Sequence, residues 1–379
     1  MSASAARGYE ASSDIVPAGD RWSTFGPYYA MFPLDFARRV IARYTDSGDT
    51  VIDPFSGRGT TVFCAAEAGR TGVGAEITAL GWLYAKVKLG PAPEEQVVDR
   101  IGKIYATSLE NPWDHAAADM PEFFHVCFCR NVLRFLLAAR SELDWRGNGV
   151  DATAMAFILV HLHGKMSGSR PSALSNQMRQ SKAMAPGYSV EWWRKNGYDE
   201  PPVIDPVAFL KARLRWRYAR GVLPRHDSRV VLGDCRDVFP RHGFRPAKLL
   251  LTSPPYCGVT SYYYDQWLRF WMLGESEHPT KTGGGWKGKF KGELAYRELL
   301  RGAFGAASPM LADDAVIYVR TDARRLTLDI TREVLSEVFP GKSMREHAAP
   351  FGKATQTHLF GDTSAKPGET DLVLTVQGH

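Results

Sequence analysis

The stretch VIDPFSGRGTT, residues 51–61, decides the fold. A short run of apolar, β-branched residues ends at Asp53 and is followed by a turn with two glycines and then by a helical pattern. This order is typical of the first βα unit of a parallel sheet, in which ligands bind at the carboxyl end of the strand. Gly57 and Gly59 permit tight turns and the close approach of a ligand. The stretch therefore predicts a ligand-binding loop.

A second stretch, LLLTSPPYCG at residues 249–258, has the same arrangement. Its apolar run predicts a buried strand, and the polar and proline residues follow directly after it. The carboxyl ends of parallel strands lie at one edge of a sheet, so we expect this loop to face the same ligand-binding edge as residues 51–61.

Strand and helix patterns alternate on both sides of these two loops. Further strands are predicted at residues 71–76, 229–232, 315–319 and 371–376, and helices at 33–44, 60–68, 78–89, 266–273, 294–306 and 326–338. Such alternation predicts an α/β fold with a Rossmann-like, doubly wound and mainly parallel sheet that is covered on both faces.

The middle of the chain departs from this alternation. The breaker cluster GPAP at residues 90–93 predicts a boundary, after which residues 121–165 are helical in period and the following residues, up to 225, are irregular, aromatic and basic. We therefore predict a leader at 1–20, a first part of the main domain at 21–90, a largely helical inserted module at 91–227 and a second part at 228–379.

Composition excludes several classes of protein. The 379 residues are 44% hydrophobic and 23% charged, without a run of about 18 apolar residues that could span a membrane. The leader lacks the pattern of a signal peptide, so we expect a cytoplasmic protein without a membrane partner. The five cysteines are odd in number and lack C-x-x-C spacing, so we expect neither a disulfide framework nor a metal site.

The first loop also narrows the class of cofactor. It lacks the G-x-G-x-x-G spacing of dinucleotide sites and the G-K-[ST] ending of phosphate loops, which disfavours a nicotinamide-dependent oxidoreductase. Glu76 ends the next strand, 23 residues after Asp53, and can accept hydrogen bonds from both ribose hydroxyls. Asp234 follows a third strand and can accept one from an adenine amino group. A ribose without a pyrophosphate fits S-adenosylmethionine, although any one of these acidic residues can instead be a helix cap.

The strings DPFSGRGTT, GAEI and TSPPY together resemble the DNA amino-methyltransferases, which methylate exocyclic amino groups of cytosine or adenine. The resemblance covers about residues 20–90 and 228–377 and implies a class I methyltransferase fold with S-adenosylmethionine as cofactor. It places the cofactor against Thr24, Phe25, Asp53, Pro54, Phe55, Gly57, Gly59, Thr60, Glu76, Asp234, Cys235 and Thr252.

The same resemblance assigns the catalytic loop to Ser253, Pro254, Pro255 and Tyr256. The Ser253 hydroxyl and the Pro254 carbonyl would accept hydrogen bonds from the target amine, and Tyr256 would stack on the base. A serine at this position is most often associated with N(4)-cytosine. An exocyclic amine is a poor nucleophile because its lone pair is delocalised, so positioning should supply much of the rate. A paired base cannot reach such a pocket, so we expect base flipping or a single-stranded target.

Positive charge is concentrated in the inserted module. Residues 161–226 contain twelve basic and four acidic residues, a balance of +8 against +6 for the whole chain. This is the pattern expected of phosphate contact, and we predict DNA contacts from Lys165, Arg170, Arg179 and Lys182. Lys287 and Lys289, in a glycine-rich stretch, are further candidates. Residues 211–220 are also consistent with a solvated helix face.

The sequence therefore predicts an S-adenosylmethionine-dependent DNA methyltransferase, with cytosine N(4) as the favoured target and restriction or defence proteins as potential partners. Three alternatives remain open at this point. The target can be N(6) of adenine, the substrate can be RNA, or the chain can be a non-catalytic nucleic-acid-binding protein on the same scaffold. Cys257 is not favoured as an attacking thiol, because nothing near it matches the motif of carbon-5 methylation.

Overall fold

A computed structural model of the chain describes residues 18–28, 33–167, 170–224, 226–241, 246–256, 262–280, 292–349 and 368–376. The first part contains α1 (Ala18–Ser23), α2 (Leu34–Tyr44), β1 (Thr50–Asp53), α3 (Thr60–Glu67), β2 (Thr71–Glu76) and α4 (Ala79–Leu89). The middle contains α5 (Glu94–Ser108), α6 (Asn111–Ala118), α7 (Glu122–Cys127), α8 (Arg130–Glu142), α9 (Gly149–Val160), β3 (Met166–Ser167), β4 (Arg170–Pro171), α10 (Pro186–Lys195) and α11 (Pro206–Tyr218).

The last part returns to alternating strands and helices. It contains β5 (Arg229–Leu232), α12 (Cys235–Val238), β6 (Ala247–Thr252), α13 (Tyr262–Asp265), α14 (Trp267–Met272), α15 (Glu293–Ala307), β7 (Leu311–Asp322), α16 (Arg325–Val338), β8 (Lys342–Ala349) and β9 (Glu369–Val376). The two ends of the chain thus build one sheet, and the middle contributes helices and a short hairpin.

The main sheet has the strand order β5-β2-β1-β6-β7-β9-β8 among the described residues. The strands from β5 to β7 are parallel, and β9 runs antiparallel to both β7 and β8. This arrangement confirms the predicted Rossmann-like, mainly parallel sheet. The strand order reverses between β1 and β6, which is where open parallel sheets bind ligands.

Both faces of the sheet are buried, as the continuous apolar runs of its strands predict. In β1, Val51 packs on one side with α2 and α3, while Ile52 packs on the other side with α15 and α16. In β6, Leu249 and Leu250 alternate in the same way. The alternation follows from the two-residue period of a strand and produces helices on both faces.

The middle helices share one apolar core with α4 of the first part. Leu83 of α4, Phe135 of α8, Phe157 of α9 and Leu214 of α11 belong to this core. Arg217 of α11 is also buried, with its guanidinium over the rings of Phe25 and Trp216. The basic run at residues 211–220 is therefore not a uniformly solvated helix face.

Several predicted boundaries differ from the structure. Residues 165–225, predicted to be irregular, contain α10 and α11, whose apolar spacing is partly hidden by charged residues. The predicted strand at 315–319 extends over the whole of β7, and β8 was not predicted because its exposed sequence lacks an apolar period. The predicted leader overlaps α1, which begins at residue 18.

No helix in the described ranges is long and apolar enough to cross a membrane.

Candidate functional site

The carboxyl ends of four neighbouring strands meet at one edge of the sheet. β1 pairs in parallel with β2 and β6, and β2 pairs in parallel with β5. Asp53 and Glu76 end β1 and β2, whereas Ser253 and Asp234 follow β6 and β5 within two residues. Four polar residues from distant parts of the sequence therefore lie along the edge at which parallel sheets bind ligands.

Asp53 is buried and fixed by hydrogen bonds from both loops. Its Oδ1 accepts a bond of 2.6 Å from the Thr252 hydroxyl and one of 3.0 Å from the Phe55 backbone NH. Burial raises the pKa of Asp53 to about 6, although hydrogen bonds from Thr252 and Thr61 oppose the shift. Thr252 thus links the loop that follows β6 directly to the loop that follows β1 through one carboxylate.

Glu76 is also buried and receives bonds from backbone and hydroxyl groups. Its Oε1 accepts a hydrogen bond of 2.8 Å from the Thr78 backbone NH and another from the Thr78 hydroxyl. The Gly57 backbone NH also donates to this carboxylate. Burial raises the pKa of Glu76 to about 7, with Asp53 adding a smaller repulsive contribution. A carboxylate with this pKa gains from a further hydrogen-bond donor, such as a ribose hydroxyl.

The loop between β1 and α3 depends on its two glycines. Gly57 and Gly59 have φ values of 52° and 73°, in the left-handed region that favours glycine. A Cβ atom at Gly57 would lie 3.1 Å from the Tyr28 ring, and one at Gly59 would lie 2.8 Å from the Ala85 Cβ. Any side chain at either position would disturb the close packing around this loop.

Arg58, between these glycines, holds the N-terminal segment against the loop. The side chain is buried, and its Nη1 donates to the Gly26 carbonyl at 2.7 Å and to the Thr24 carbonyl at 3.2 Å. Tyr28 then reaches the cofactor edge, where its hydroxyl lies 3.5 Å from Glu76 Oε1. Arg58 was not predicted as a site residue, although it lies within the quoted motif.

The two aromatic residues predicted to contact the cofactor have apolar neighbours. Phe25 is fully buried, with ring contacts to Trp22, Tyr84 and Phe157. Its ring therefore belongs to the core, and a cofactor contact at this position would involve the backbone. Phe55 is half-buried, and its ring lies edge-on to another phenylalanine ring, with centroids 6.5 Å apart.

Other predicted cofactor residues lie at the same edge. Pro54 and Thr60 are buried in the β1–α3 loop and at the start of α3. Cys235 begins α12 and is buried, directly after Asp234. Asp234 caps α12 and also pairs with Arg236, whose Nε donates to its Oδ1 at 2.9 Å. A hydrogen bond to an adenine amino group would therefore have to share or displace the Arg236 contact.

Residues 253–256, which the resemblance predicts to form the catalytic loop, follow β6 directly. Pro254 is buried, whereas Ser253, Pro255 and Tyr256 are partly exposed. The Tyr256 hydroxyl donates a hydrogen bond of 3.0 Å to Oε1 of Glu369 at the start of β9. Burial and the Glu369 carboxylate raise the pKa of Tyr256 well above its usual value, while a hydrogen bond with Ser253 opposes the shift.

Glu369 is a functional candidate that the sequence analysis missed. It lies 113 residues after Tyr256, and no local motif marks it. Arg320 Nη1 lies 3.4 Å from Glu369 Oε2, and burial raises the pKa of Glu369. The resulting contacts fix the orientation of the tyrosine ring from the neighbouring strands.

The basic residues predicted to contact DNA divide into three groups. Lys165 and Arg179 are exposed. The ammonium of Lys182 lies 2.6 Å from Asp265 Oδ1, which gives it an internal partner. The side chain of Arg170, together with Lys287 and Lys289, lies outside the described part of the chain, as does Cys257.

Within the described ranges, no group of three or more His, Cys, Asp or Glu side chains could hold a metal ion.

Comparison with known proteins relates the first part of the chain to DNA methylases. Residues 7–79 match a family model described as a DNA methylase of the N6/N4 type. The type II methyltransferase M.MthZI of Methanothermobacter thermautotrophicus is 48% identical over 48 residues, which are 13% of this chain and 14% of that protein. The type II methyltransferase M.MjaI of Methanocaldococcus jannaschii is 50% identical over 48 residues, which are 13% and 16% of the two chains.

Solved structures align over more of the chain at low identity. The rRNA methyltransferase aviRa of Streptomyces viridochromogenes is 14% identical with a TM-score of 0.32, covering 93% of this chain and 87% of that one. TrmN of Thermus thermophilus is 11% identical with a TM-score of 0.33, covering 94% and 51%.

The family match and the two curated relatives support the resemblance to the N(4)/N(6) DNA methylases. The resemblance implies S-adenosylmethionine as cofactor. The matched segments span only 14% and 16% of the curated relatives' own length.

Proposed function

We propose that this relative of the N(4)/N(6) DNA methylases transfers a methyl group from S-adenosylmethionine to the exocyclic amino group of cytosine in DNA. One observation carries the proposal. The buried carboxylates of Asp53 and Glu76 lie at the ends of β1 and β2, and the Ser253 loop lies at the end of the adjacent β6. A cofactor held by the carboxylates would therefore lie next to a target held by the loop.

The residues at the end of β2 fit a nucleoside cofactor. Glu76 is a buried carboxylate with about four acceptor sites, three of which take bonds from Thr78 and Gly57, so one ribose hydroxyl would add a bond and a second would replace the Thr78 hydroxyl. Gly57 lets the Tyr28 ring pack closely against the loop, because a Cβ atom at this position would lie 3.1 Å from that ring. We assign Thr24, Pro54, Thr60, Thr252, Asp234 and Cys235 to the same site.

The cofactor supplies a methyl group activated by its sulfonium. The chain's own contribution is to hold the amine in line with that methyl group, which is catalysis by positioning. The Ser253 hydroxyl and the Pro254 carbonyl accept hydrogen bonds from the amine and favour tetrahedral geometry at nitrogen. Pro254 and Pro255 stiffen the loop and have no NH that could compete for these acceptors. Tyr256, fixed by Glu369, stacks on the base.

The proposal also covers the form of the DNA substrate and the roles of the parts of the chain. Duplex DNA would present a flipped base, and a single strand would present an unpaired one. We assign residues 91–227 to target recognition and residues 21–90 and 228–379 to the methyltransferase domain. Action on chromosomal DNA would place the enzyme in the cytoplasm, with restriction or defence proteins as partners.

The test is methyl transfer by the purified protein with labelled S-adenosylmethionine. The substrates are unmethylated genomic DNA and, in parallel, structured RNA, and the labelled nucleoside is identified after digestion. We expect N(4)-methylcytosine from the DNA. Label in N(6)-methyladenine would replace the proposed base, and label only in RNA would replace the proposed substrate. Binding of the cofactor without transfer to either polymer would contradict the proposed activity.

A further inference from the structure

The inserted module contains a cavity that the proposed catalytic site does not use. It lies between α10 and residues 165–184 and has a volume of about 230 Å³. Its walls include Tyr188, Trp192 and Trp193 of α10 together with Met178, and the charged side chains that line it, Lys165 and Arg179, are both basic. Pockets for drug-sized ligands have about 300–1,000 Å³, so this one suits a single flat ring system.

Two of the aromatic side chains are held open to solvent. Tyr188 is 54% exposed and Trp192 is 36% exposed, which is unusual for large aromatic residues in one small area. Trp192 lies almost parallel to the ring of Tyr198, at 10° and with centroids 5.8 Å apart, so the plane of its indole is fixed. Trp193 beneath them is 1% exposed. The cavity therefore combines a buried floor with exposed, oriented rings.

The cavity is connected to the region that follows the catalytic loop. The Trp267 indole NH donates to the Met184 carbonyl at 3.1 Å, and the Gln266 side-chain NH donates to the Ser181 carbonyl at 2.6 Å. Lys182 pairs with Asp265, which lies only nine residues after Tyr256 in the sequence. These contacts hold one wall of the cavity against α13 and α14.

We propose that this cavity binds one unstacked nucleobase of the substrate DNA, separate from the target base held by Ser253. Aromatic faces stack on any base, and basic side chains at the same place suit the adjoining phosphates. The proposal rests on the proposed function for its choice of DNA. The two basic side chains and the absence of acidic ones among its lining residues favour a polyanion over an acidic peptide.

Equilibrium binding of fluorescent, mixed-sequence DNA, single-stranded and duplex, tests the proposal at two salt concentrations. The variants are Trp192→Ala and Tyr188→Ala, with Trp192→Phe to restore a ring. Trp216→Ala is the matched control, because Trp216 is 37% exposed on α11 and does not line the cavity. We expect binding to weaken by about 5- to 150-fold in the two alanine variants, as loss of one stacked base predicts.

The salt dependence separates stacking from charge. Loss of a stacked ring should leave the slope of affinity against salt unchanged, and Trp192→Phe should recover most of the affinity. Wild-type affinity in both alanine variants, or an equal loss in Trp216→Ala, would overturn the proposal. Because the readout is binding, the two proposals can fail separately. If DNA binding depends on Trp192 but no methyl group is transferred, only the proposed function is overturned. If methyl transfer occurs but the variants bind DNA as the wild type does, only the proposed base-binding role of the cavity is overturned.

Discussion

The two sides of the candidate site are built in different ways. On the cofactor side, Glu76 takes its bonds from Thr78, two residues away, and from Gly57 in the preceding loop. On the target side, Tyr256 is fixed by Glu369, 113 residues away, and Lys182 by Asp265, 83 residues away. Glu76 is thus held by contacts that are closer in sequence than those that hold Tyr256 and Lys182, while the Asp53 carboxylate joins the two sides through Thr252, 199 residues away.

This difference predicts a division of labour. The proposed cofactor side contains two buried carboxylates, so changes there should act mainly on cofactor affinity. The target side orients a loop and an aromatic ring, so changes there should act mainly on turnover or on DNA binding.

Ser253→Ala should lower methyl-transfer turnover by about 100-fold, the scale seen when one preorganised polar group is removed from a reaction centre. Its affinity for S-adenosylhomocysteine should remain that of the wild type, because Ser253 lies on the target side. Steady-state kinetics and calorimetry measure the two quantities. An unchanged turnover would remove Ser253 from the proposed grip on the amine.

Glu76→Gln should weaken the binding of S-adenosylhomocysteine by about 10-fold or more, since hydrogen bonds to charged groups contribute roughly 1.5–3 kcal/mol. Glu67→Gln is the matched control, because that carboxylate pairs with Arg38 on α3 and α2, away from the site. Calorimetry measures both. Equal affinity in the two variants would contradict the assignment of Glu76 to the ribose.

Glu76→Gln should also change how the free energy of unfolding depends on pH. Burial raises the pKa of Glu76 to about 7 and that of Asp53 to about 6, so the folded protein retains protons that the unfolded chain has released. The free energy of unfolding should therefore fall as the pH rises from about 4 to 7. As the pH rises from 5 to 8, the free energy of unfolding measured in urea should fall by about 2 kcal/mol less for Glu76→Gln than for the wild type. An identical loss would show that Glu76 does not carry this effect.

Lys165→Ala and Arg179→Ala should each weaken DNA binding a few-fold and reduce its salt slope by about 1, as loss of one phosphate contact predicts. Lys211→Ala, exposed on α11 of the same module, is the control and should leave the slope unchanged. Binding titrations across a salt series give the slopes. The same reduction in all three variants would indicate a diffuse basic surface in place of a defined contact.

Tyr256→Phe should have the smallest effect, a loss of turnover of about threefold, because the ring remains and only its anchoring bond is removed. Glu369→Gln removes the charge at the other end of this hydrogen bond. We expect it to lower turnover by about as much as Tyr256→Phe does. Single-turnover rates at saturating cofactor and DNA measure both. A much larger loss in Glu369→Gln than in Tyr256→Phe would mean that Glu369 acts by more than orienting the ring.

Features set by local sequence could be predicted, whereas features set by contacts distant in sequence could not. The parallel sheet and the βα unit around Asp53 could be predicted, because strand period, glycines and helix pattern are local features of the sequence. The burial of Phe25 could not, because a short aromatic turn does not reveal that Trp22 and Phe157 surround it. Arg58 lay within the predicted loop, yet its role depends on carbonyls more than thirty residues away.

The inserted module was the hardest part to predict. Charged residues on α10 and α11 obscure the apolar spacing that would have marked two helices. The net positive charge of the module predicted contact with DNA. It did not predict which of the basic side chains are free to make that contact. Lys182 pairs with Asp265 and Arg217 is buried, although both were counted as positive charge on one basic surface.

The most direct test of the division is single-turnover methyl transfer by Ser253→Ala and Glu76→Gln, measured side by side as the concentration of S-adenosylmethionine is raised. We expect saturating cofactor to restore the rate of Glu76→Gln toward that of the wild type, while Ser253→Ala remains slow. Recovery of Ser253→Ala at high cofactor, or no recovery of Glu76→Gln, would contradict this expectation.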